Sequence, residues 1–260
     1  MPLRLLLTPL VLLTPIAIRA DDPATLRVLS YNVHHGEGTD GKLDLARIAK
    51  VITTAKPDLV ALQEIDRGAK RTGGVDQAAE LARLTGLHVE FGKAIDLQGG
   101  AYGLATLSRY PLHGARVHPL PGKKGQEARI VLEARVEVGA GRAITFLNTH
   151  FQHDDAATRA EQAAKVSDLF AGADGPVVLA GDLNATPESE PMKALAKHWT
   201  PATPFDRGLK TIPAGAPKSQ IDYVLVRPAG RFKVVEATVI EEKVASDHRP
   251  VLAVLEWVGK

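Results

Sequence analysis

Short apolar runs alternate along this chain with segments whose apolar positions recur at helical spacing. Residues 26–31 form the first run, and Leu45, Ile48, Val51 and Ile52 then mark one face of a helix closed by Pro57. Residues 59–62 make a second buried strand, and residues 78–85 a helix ended by Gly86. Residues 88–92, 104–108, 130–138 and 143–149 read as strands, the last two joined by a tight turn at Gly139-Ala140-Gly141. Residues 156–170 read as a helix, 177–180 as a strand and 188–198 as a short helix. Residues 221–226, 234–240 and 251–257 complete a pattern of about ten strands and four or five helices. A strand–helix–strand opening followed by hairpins predicts an α/β protein with mixed sheets and helices packed outside them. No flexible linker or repeat divides the chain, so one domain over residues 21–260 is expected, with the Pro-rich stretch 201–217 as a surface loop.

Several of the apolar runs end in polar groups. These ends are Tyr31-Asn32, Leu62-Gln63-Glu64, Asn148-Thr149-His150, Gly181-Asp182-Leu183-Asn184 and Ser246-Asp247-His248, with Gln220-Ile221-Asp222-Tyr223 opening a strand. Burying such groups without partners costs several kcal/mol. Strand ends that converge on one mouth let them meet a metal and a phosphate instead. Glu64 suits a hard cation, which takes carboxylates plus waters; a solvated loop residue is the plain alternative. Asp182 and Asn184 share one face across Leu183 and suit activation of a nucleophile and binding of a phosphate oxygen; an Asx-turn or helix cap before Pro187 is the alternative. His248 can take a proton near neutral pH, and such a base needs a carboxylate to fix its tautomer, for which Asp222 is the candidate. Asp247 is better placed for metal; a polar turn is the plain alternative for Asp247-His248. His150 could donate a proton to a leaving oxygen, and Asn32 could position phosphate or a metal water; both also fit structural roles.

Composition narrows the field. The N-terminus carries Arg4, an apolar stretch over residues 5–18, and Arg19-Ala20 before Asp21-Asp22-Pro23. That pattern predicts a secretory signal peptide over residues 1–20, with no membrane span remaining after its removal. Without those residues the chain has 30 basic against 30 acidic side chains. Neutrality argues against tight non-specific binding to long nucleic acid. The absence of cysteine excludes disulfides, thiolate ligands and Cys nucleophiles. The whole suits a bacterial enzyme, secreted or periplasmic.

Together the segments Leu29-Ser-Tyr-Asn-Val33, Leu62-Gln-Glu-Ile65, Ala105-Thr-Leu-Ser-Arg-Tyr-Pro111, Asn148-Thr-His150, Gly181-Asp-Leu-Asn184, Ile221-Asp-Tyr-Val224 and Ser246-Asp-His248 resemble the endonuclease/exonuclease/phosphatase superfamily, of DNase I-like fold. The resemblance implies a four-layered αββα sandwich and an Mg²⁺- or Mn²⁺-dependent phosphoric ester hydrolase. It implies metal and phosphate binding by Asn32 and Glu64, and metal binding by Asp247. Asp182 and Asn184 would orient water and phosphate, and His248 with Asp222 would act as base or phosphate ligand. His150 matches the branch with a second active-site histidine, which lowers the expectation of abasic-site endonuclease activity.

Arg67 and Arg71 follow Glu64 closely and Tyr102 precedes a strand, so these three are candidate substrate contacts; Lys123, Lys124 and Arg129 form a second basic loop. Either loop is equally well read as solvated surface. A small or lipid-headgroup phosphodiester is the favoured substrate. A secreted nuclease is the runner-up, and a non-catalytic binding module the reading from another class. No protein partner is implied.

Overall fold

The computed structural model describes residues 25–139 and 141–258. The predicted signal peptide lies outside the described residues. The chain opens with β1 (Thr25–Asn32), α1 (Leu45–Ala55), β2 (Leu59–Arg67) and α2 (Gln77–Thr85). Four strands follow: β3 (His88–Leu97), β4 (Gly100–Ser108), β5 (Leu112–Pro119) and β6 (Ile130–Glu137). Next come β7 (Ala143–His150), α3 (Ala156–Leu169), β8 (Val177–Asp182), α4 (Glu190–Ala196) and the short β9 (Thr200–Pro201). The last strands are β10 (Asp222–Arg227), β11 (Phe232–Val239) and β12 (Val251–Trp257).

Three helices start where an aspartate can accept from the backbone. Asp44, Asp76 and Asp155 cap α1, α2 and α3 through the N–H groups of Arg47, Ala79 and Thr158. Such a cap satisfies an orphan donor of the first turn and contributes ~1 kcal/mol. Gly86 ends α2 in the left-handed conformation, as its position in the sequence suggested.

The strands form two six-stranded sheets, ordered β11-β12-β1-β2-β4-β3 and β5-β6-β7-β8-β10-β9. Side chains alternate between the faces of each sheet. In β1, Leu29 and Tyr31 pack outward with Val60 and Leu62 against Ile48, Ile52 and Leu81 of α1 and α2. On the second sheet, Leu147, Val177 and Leu179 pack outward against Val166, Met192 and Leu195 of α3 and α4. The alternate residues Leu26, Val28, Leu59 and Ala61 meet Ile144, Phe146, Val178, Ala180 and Val224 between the sheets. Full burial of each large member contributes about 1.5–3 kcal/mol. The layers therefore run helix, sheet, sheet, helix: the mixed sheets with outer helices that the residue pattern predicted, in the αββα sandwich that the resemblance implied.

Two expectations need correction. β5 was missed because residues 112–119 are mostly exposed on a sheet edge, where no apolar run is required. Residues 201–217 are not merely a surface loop: Ala202, Thr203, Thr211 and Ala214 are fully buried. Thr203 Oγ1 accepts from Val224 N–H at 3.0 Å, and Ala214 N–H donates to Asp247 O at 2.7 Å, so this segment braces the strand end carrying Asp247 and His248.

β7 and β8 are parallel, with Thr149 opposite Gly181. A Cβ at Gly181 would lie 2.1 Å from Thr149 O, a backbone atom that cannot swing aside. Gly181→Ala should therefore cost at least ~2 kcal/mol and lower the melting temperature by about 4–8 °C. Gly172→Ala, with nothing near its Cβ, should stay within ~0.5 kcal/mol of the parent. Equal melting temperatures for the two variants would refute this reading of the strand contact.

Candidate active site

The alternation that fills the space between the sheets with Val and Phe continues to the strand ends with different residues. Asn32 follows Leu26, Val28 and Ser30 on the inner face of β1. Asn148 and His150 follow Ile144 and Phe146 on β7, and Asp182 follows Val178 and Ala180 on β8. Asp222 is on the same face of β10 as Val224. Register places His150 opposite Asp182 and Asp182 opposite Asp222. One end of the inter-sheet space is thus apolar and the other is a cluster of amides, carboxylates and imidazoles. Asn32, His150, Asp182, Asp222 and His248 are each 5% exposed or less.

Asn32 joins the sheets. Its Nδ2 donates to Glu64 Oε1 at 3.0 Å and to Asp182 Oδ2 at 3.1 Å, while its Oδ1 accepts from His34 N–H at 3.0 Å. The last bond fixes which way the amide faces. Asn148 makes a second link, accepting from Gln63 Nε2 at 2.8 Å and donating to the carbonyls of Leu62 and Ala105. Glu64 lies within β2 rather than past it. The ladder to β4 slips between Leu62 and Ile65, and Glu64 takes φ 61° there. A left-handed non-glycine residue costs ~1–3 kcal/mol and is retained where it turns a side chain to use. The Glu64 carboxylate lines the cleft, as does Asp247.

Opposite, His248 Nδ1 lies 2.9 Å from Asp222 Oδ2, and its Nε2 lies 3.7 Å from Asp182 Oδ2. Burial alone would lower the pKa of His248, but the carboxylates of Asp222 and Asp182 outweigh it and raise the imidazolium to about 10. Asp182 is pushed up to about 7, first by burial and then by the charge of Asp222, against the pull of His248 and the donors Asn184 N–H and Asn32. Asn184, at φ 46°, donates its backbone N–H to Asp182 Oδ1 at 2.9 Å, an Asx-type turn that coexists with the site.

His150 is held differently. Arg129 Nη1 lies 2.8 Å from His150 Nδ1, and a guanidinium only donates. The imidazole is therefore neutral with its proton on Nε2. Burial, then the charges of Arg129, His248 and His153, keep its pKa well below the ordinary value. Nε2–H faces Asp182 Oδ2 at 3.4 Å and stands 3.1 Å from Asn184 Nδ2, which donates to Phe151 O. Two N–H donors converge there, an arrangement that suits an incoming anionic oxygen.

The cleft encloses about 360 Å³ and is lined among others by His34, Glu64, Arg71, Tyr102, Arg129, His150, Asp182, Asn184, Asp247 and His248. A groove of about 480 Å³ around Arg135, Arg142 and Trp257 is larger but is lined by a single carboxylate, Asp174, and no imidazole, so chemistry rather than size selects the site. Of the three expected substrate contacts, Arg71 and Tyr102 line the cleft; Arg71 is also bidentate to buried Asp66, at 2.7 and 2.8 Å. Arg67 is not brought there, its guanidinium resting over the Phe91 ring at 4.3 Å. The second basic loop divides. Lys123 pairs with Asp155 at the start of α3, whereas Arg129 is buried and bound to Glu127 at 2.8 Å, so it is no surface residue. Sequence reading missed Glu127 and His34, and placed Arg129 only within a basic loop. The only available signals were the spacing Glu127-x-Arg129 before a strand and the pair His34-His35 just after Asn32.

Glu64 and Asp247 offer two carboxylates to one cleft, a hard-oxygen donor set that with waters fits Mg²⁺ or Mn²⁺. Asn32, expected to join them, instead turns its Nδ2 toward Glu64 and its Oδ1 to His34 N–H, so it orients a ligand carboxylate. Two tighter clusters that could hold a metal are His34, His35 and Glu64, and Asp182, Asp222 and His248. In the second, Asp222 Oδ2 and His248 Nδ1 already engage each other at 2.9 Å, so those two atoms are not free for a metal.

Comparison with known proteins agrees with this geometry. The model of the Endonuclease/Exonuclease/phosphatase family matches residues 29–248, and the chain belongs to that family, whose members are phosphoester hydrolases. A solved endonuclease/exonuclease/phosphatase from Beutenbergia cavernae DSM 12333 is similar at 29% identity and a TM-score of 0.77, over 90% of this chain and 72% of the other. The fold is also shared with a mannosyl-6-phosphatase of Bacteroides thetaiotaomicron VPI-5482, at 19% identity and a TM-score of 0.71, over 88% and 99% of the two chains. The human Nocturnin catalytic domain, solved with a bound sulfate anion, gives 18% identity and a TM-score of 0.71, over 90% and 95%.

Arg129 should control the proton on His150. Nitrogen-15 NMR of the imidazoles is expected to show His150 neutral and Nε2-protonated at pH 6, with Arg129→Met moving its titration upward toward the ordinary histidine range. A charged His150 at pH 6 in the parent protein would overturn the assignment.

Proposed function

We propose that this protein is a divalent-metal-dependent hydrolase of small phosphate esters, phosphodiesters foremost. The observation that carries the reading is the meeting, in one cleft, of a hard-oxygen donor set with a carboxylate poised near neutrality and a charged imidazole. Glu64 and Asp247, with Asn32 orienting Glu64, would hold Mg²⁺ or Mn²⁺, which when bound neutralises phosphoryl charge and lowers the pKa of water. Asp182 takes the proton from the attacking water, since a general base works best with a pKa near the working pH. His248, held charged by Asp222, donates to a phosphoryl oxygen. His150 Nε2–H and the Asn184 amide donate to a further oxygen. Proton donation by His150, expected from the sequence, gives way here to a hydrogen-bonding role, because burial and then Arg129 oppose its protonation.

The cleft volume favours a compact phosphate ester, a sugar phosphate or lipid headgroup included, over a long duplex. The balance of 30 basic and 30 acidic residues beyond position 20 supports the same choice. No helix among the described residues is long and apolar enough to cross a membrane. Export to the periplasm or medium is part of the proposal and rests on the leader pattern alone; N-terminal sequencing of the exported protein should begin at Asp21.

The test is release of p-nitrophenol from bis-p-nitrophenyl phosphate and p-nitrophenyl phosphate with Mg²⁺ or Mn²⁺. EDTA should abolish it, and Asp182→Ala or His248→Ala should each lower turnover by at least about 10² with folding retained. Near-parental turnover in both variants would remove the roles assigned. The pH profile carries a sign. Asp182 acts ionised, so kcat/KM should rise through about pH 7; His248 acts protonated, so it should fall through about pH 10. Asp222→Asn removes the charge that raises both groups and should move both limbs to lower pH. Limbs that stay in place would contradict this account of the two groups.

A further inference from the structure

Beside the catalytic cluster stands a second group of ligand-bearing side chains. One ring nitrogen of His34, one of His35 and one carboxylate oxygen of Glu64 lie within 4.8 Å of one another. The two rings meet edge to face with centroids 4.5 Å apart. Sequence neighbours in a strand point to opposite faces, so this pairing needs an unusual backbone. His34 and His35 both take left-handed φ values, 45° and 42°, and Gly36 continues at 80°.

The turn is locked in place. A Cβ at Gly36 would meet Leu45 Cδ2 at 2.9 Å. Buried Gln77 of α2 donates to His35 O at 2.7 Å and accepts from Asp66 N–H at 2.9 Å. It thereby ties the two histidines to the strand that carries Glu64. A ligand set held by its supports before the ligand arrives is what a binding site requires.

The ring nitrogens are set for a cation. His34 Nδ1 lies 3.2 Å from Glu37 O, which only accepts, so the proton is on Nδ1 and the lone pair on Nε2. Metal-binding histidines are oriented by this kind of bond to a carbonyl. His35 Nε2 faces Glu37 Oε2 at 3.7 Å, while His35 Nδ1 is buried with no hydrogen-bond partner among the described residues. With the proton on Nε2, Nδ1 is a buried lone pair without a donor, and such groups call for an explanation. A bound cation supplies one.

We propose that His34, His35 and Glu64 bind a divalent cation of the imidazole-preferring class, Zn²⁺ foremost, at the rim of the cleft. Mg²⁺ takes oxygen ligands and keeps its waters, whereas two imidazoles and a carboxylate are a familiar three-ligand set for Zn²⁺ with a position left open. The site shares only Glu64 with the hard-oxygen set, and His34 also lines the cleft, so the open position faces substrate. Binding is read directly, so the outcome does not depend on whether the protein hydrolyses the esters proposed above.

The test uses untagged protein stripped with EDTA and dialysed against Zn²⁺ in a large excess of Mg²⁺, with bound metal measured by atomic emission. One Zn²⁺ per chain should be retained. His34→Asn and His35→Asn, which keep a residue tolerant of the left-handed turn, should each weaken binding at least about 10-fold. Asp222→Asn should leave it unchanged. Imidazole nitrogen-15 shifts followed during Zn²⁺ titration of the parent protein should move for His34 and His35 before any other histidine, a readout independent of how the variants fold. No Zn²⁺ retained, or shifts confined to His248 and His150, would overturn the site.

Discussion

A single amide holds the two halves of the molecule's chemistry together. Asn32 donates to Glu64 on its own sheet and to Asp182 on the facing sheet, and its orientation is fixed by His34 N–H. Hydrogen bonds to charged groups contribute about 1.5–3 kcal/mol each, and a buried carboxylate without them loses that and more. The rest of the site is arranged around this constraint. Two sheets that face each other must fill the space between them, and where they do so with carboxylates every oxygen needs a donor or a cation. Asn32 and the Asn184 N–H donate to Asp182, His248 to Asp222, and Arg129 pairs with Glu127. The shortage of donors at Glu64 and Asp247 is what makes a cation the natural complement.

The same crowding sets the acid–base properties. Asp182 sits between Asp222 and His248, so its proton affinity rises with burial and like charge while the imidazole beside it is held charged. Placing acid and base functions on neighbours whose pKa values are driven apart is a common way to run both at one pH. His150 departs from its partner's behaviour because no carboxylate offsets its burial and the guanidinium at its Nδ1 adds to it. Two neighbouring histidines thus differ in charge, one neutral and one protonated. Strain is concentrated at the same place: His34, His35, Glu64 and Asn184 all have left-handed φ values, and each turns a side chain or an amide toward the cleft or its supports. The cost is met by the packed apolar half of the same inter-sheet layer.

Much of this was legible in the sequence because period-two alternation extends into the motifs. Asn32, Asp182 and His150 are the next inward positions after Val28 and Ser30, Val178 and Ala180, and Phe146 and Asn148. An apolar run ending in such a residue therefore announces both the strand and the face. The Asp222–His248 pair followed from the need of a histidine for a carboxylate, and the structure puts them 2.9 Å apart. Other features carried no periodic signal. β5 lies on an edge with one residue in three or fewer requiring burial, so its pattern is that of a loop. Arg129 read as part of a basic loop because burial of an arginine depends on Glu127, His150 and Gln152, which only the tertiary fold assembles. Arg67 looked equivalent to Arg71, but Arg67 ends β2 with its guanidinium over Phe91, whereas Arg71 lies in the turn after the strand, held by Asp66, and only Arg71 lines the cleft. Residues 201–217 resembled a surface loop because proline and glycine hide how much of the segment is core.

The most direct test of the central claim is the energetic coupling between Asn32 and Asp182 across the sheets. Chemical denaturation of Asn32→Ala, Asp182→Ala and the double variant closes a thermodynamic cycle. Loss of the Asn32 amide should cost at least ~1 kcal/mol more when the Asp182 carboxylate is present than when it is absent. Equal cost in both backgrounds would mean that the amide does not hold the facing carboxylate, and that the two sheets meet at the cleft for some other reason.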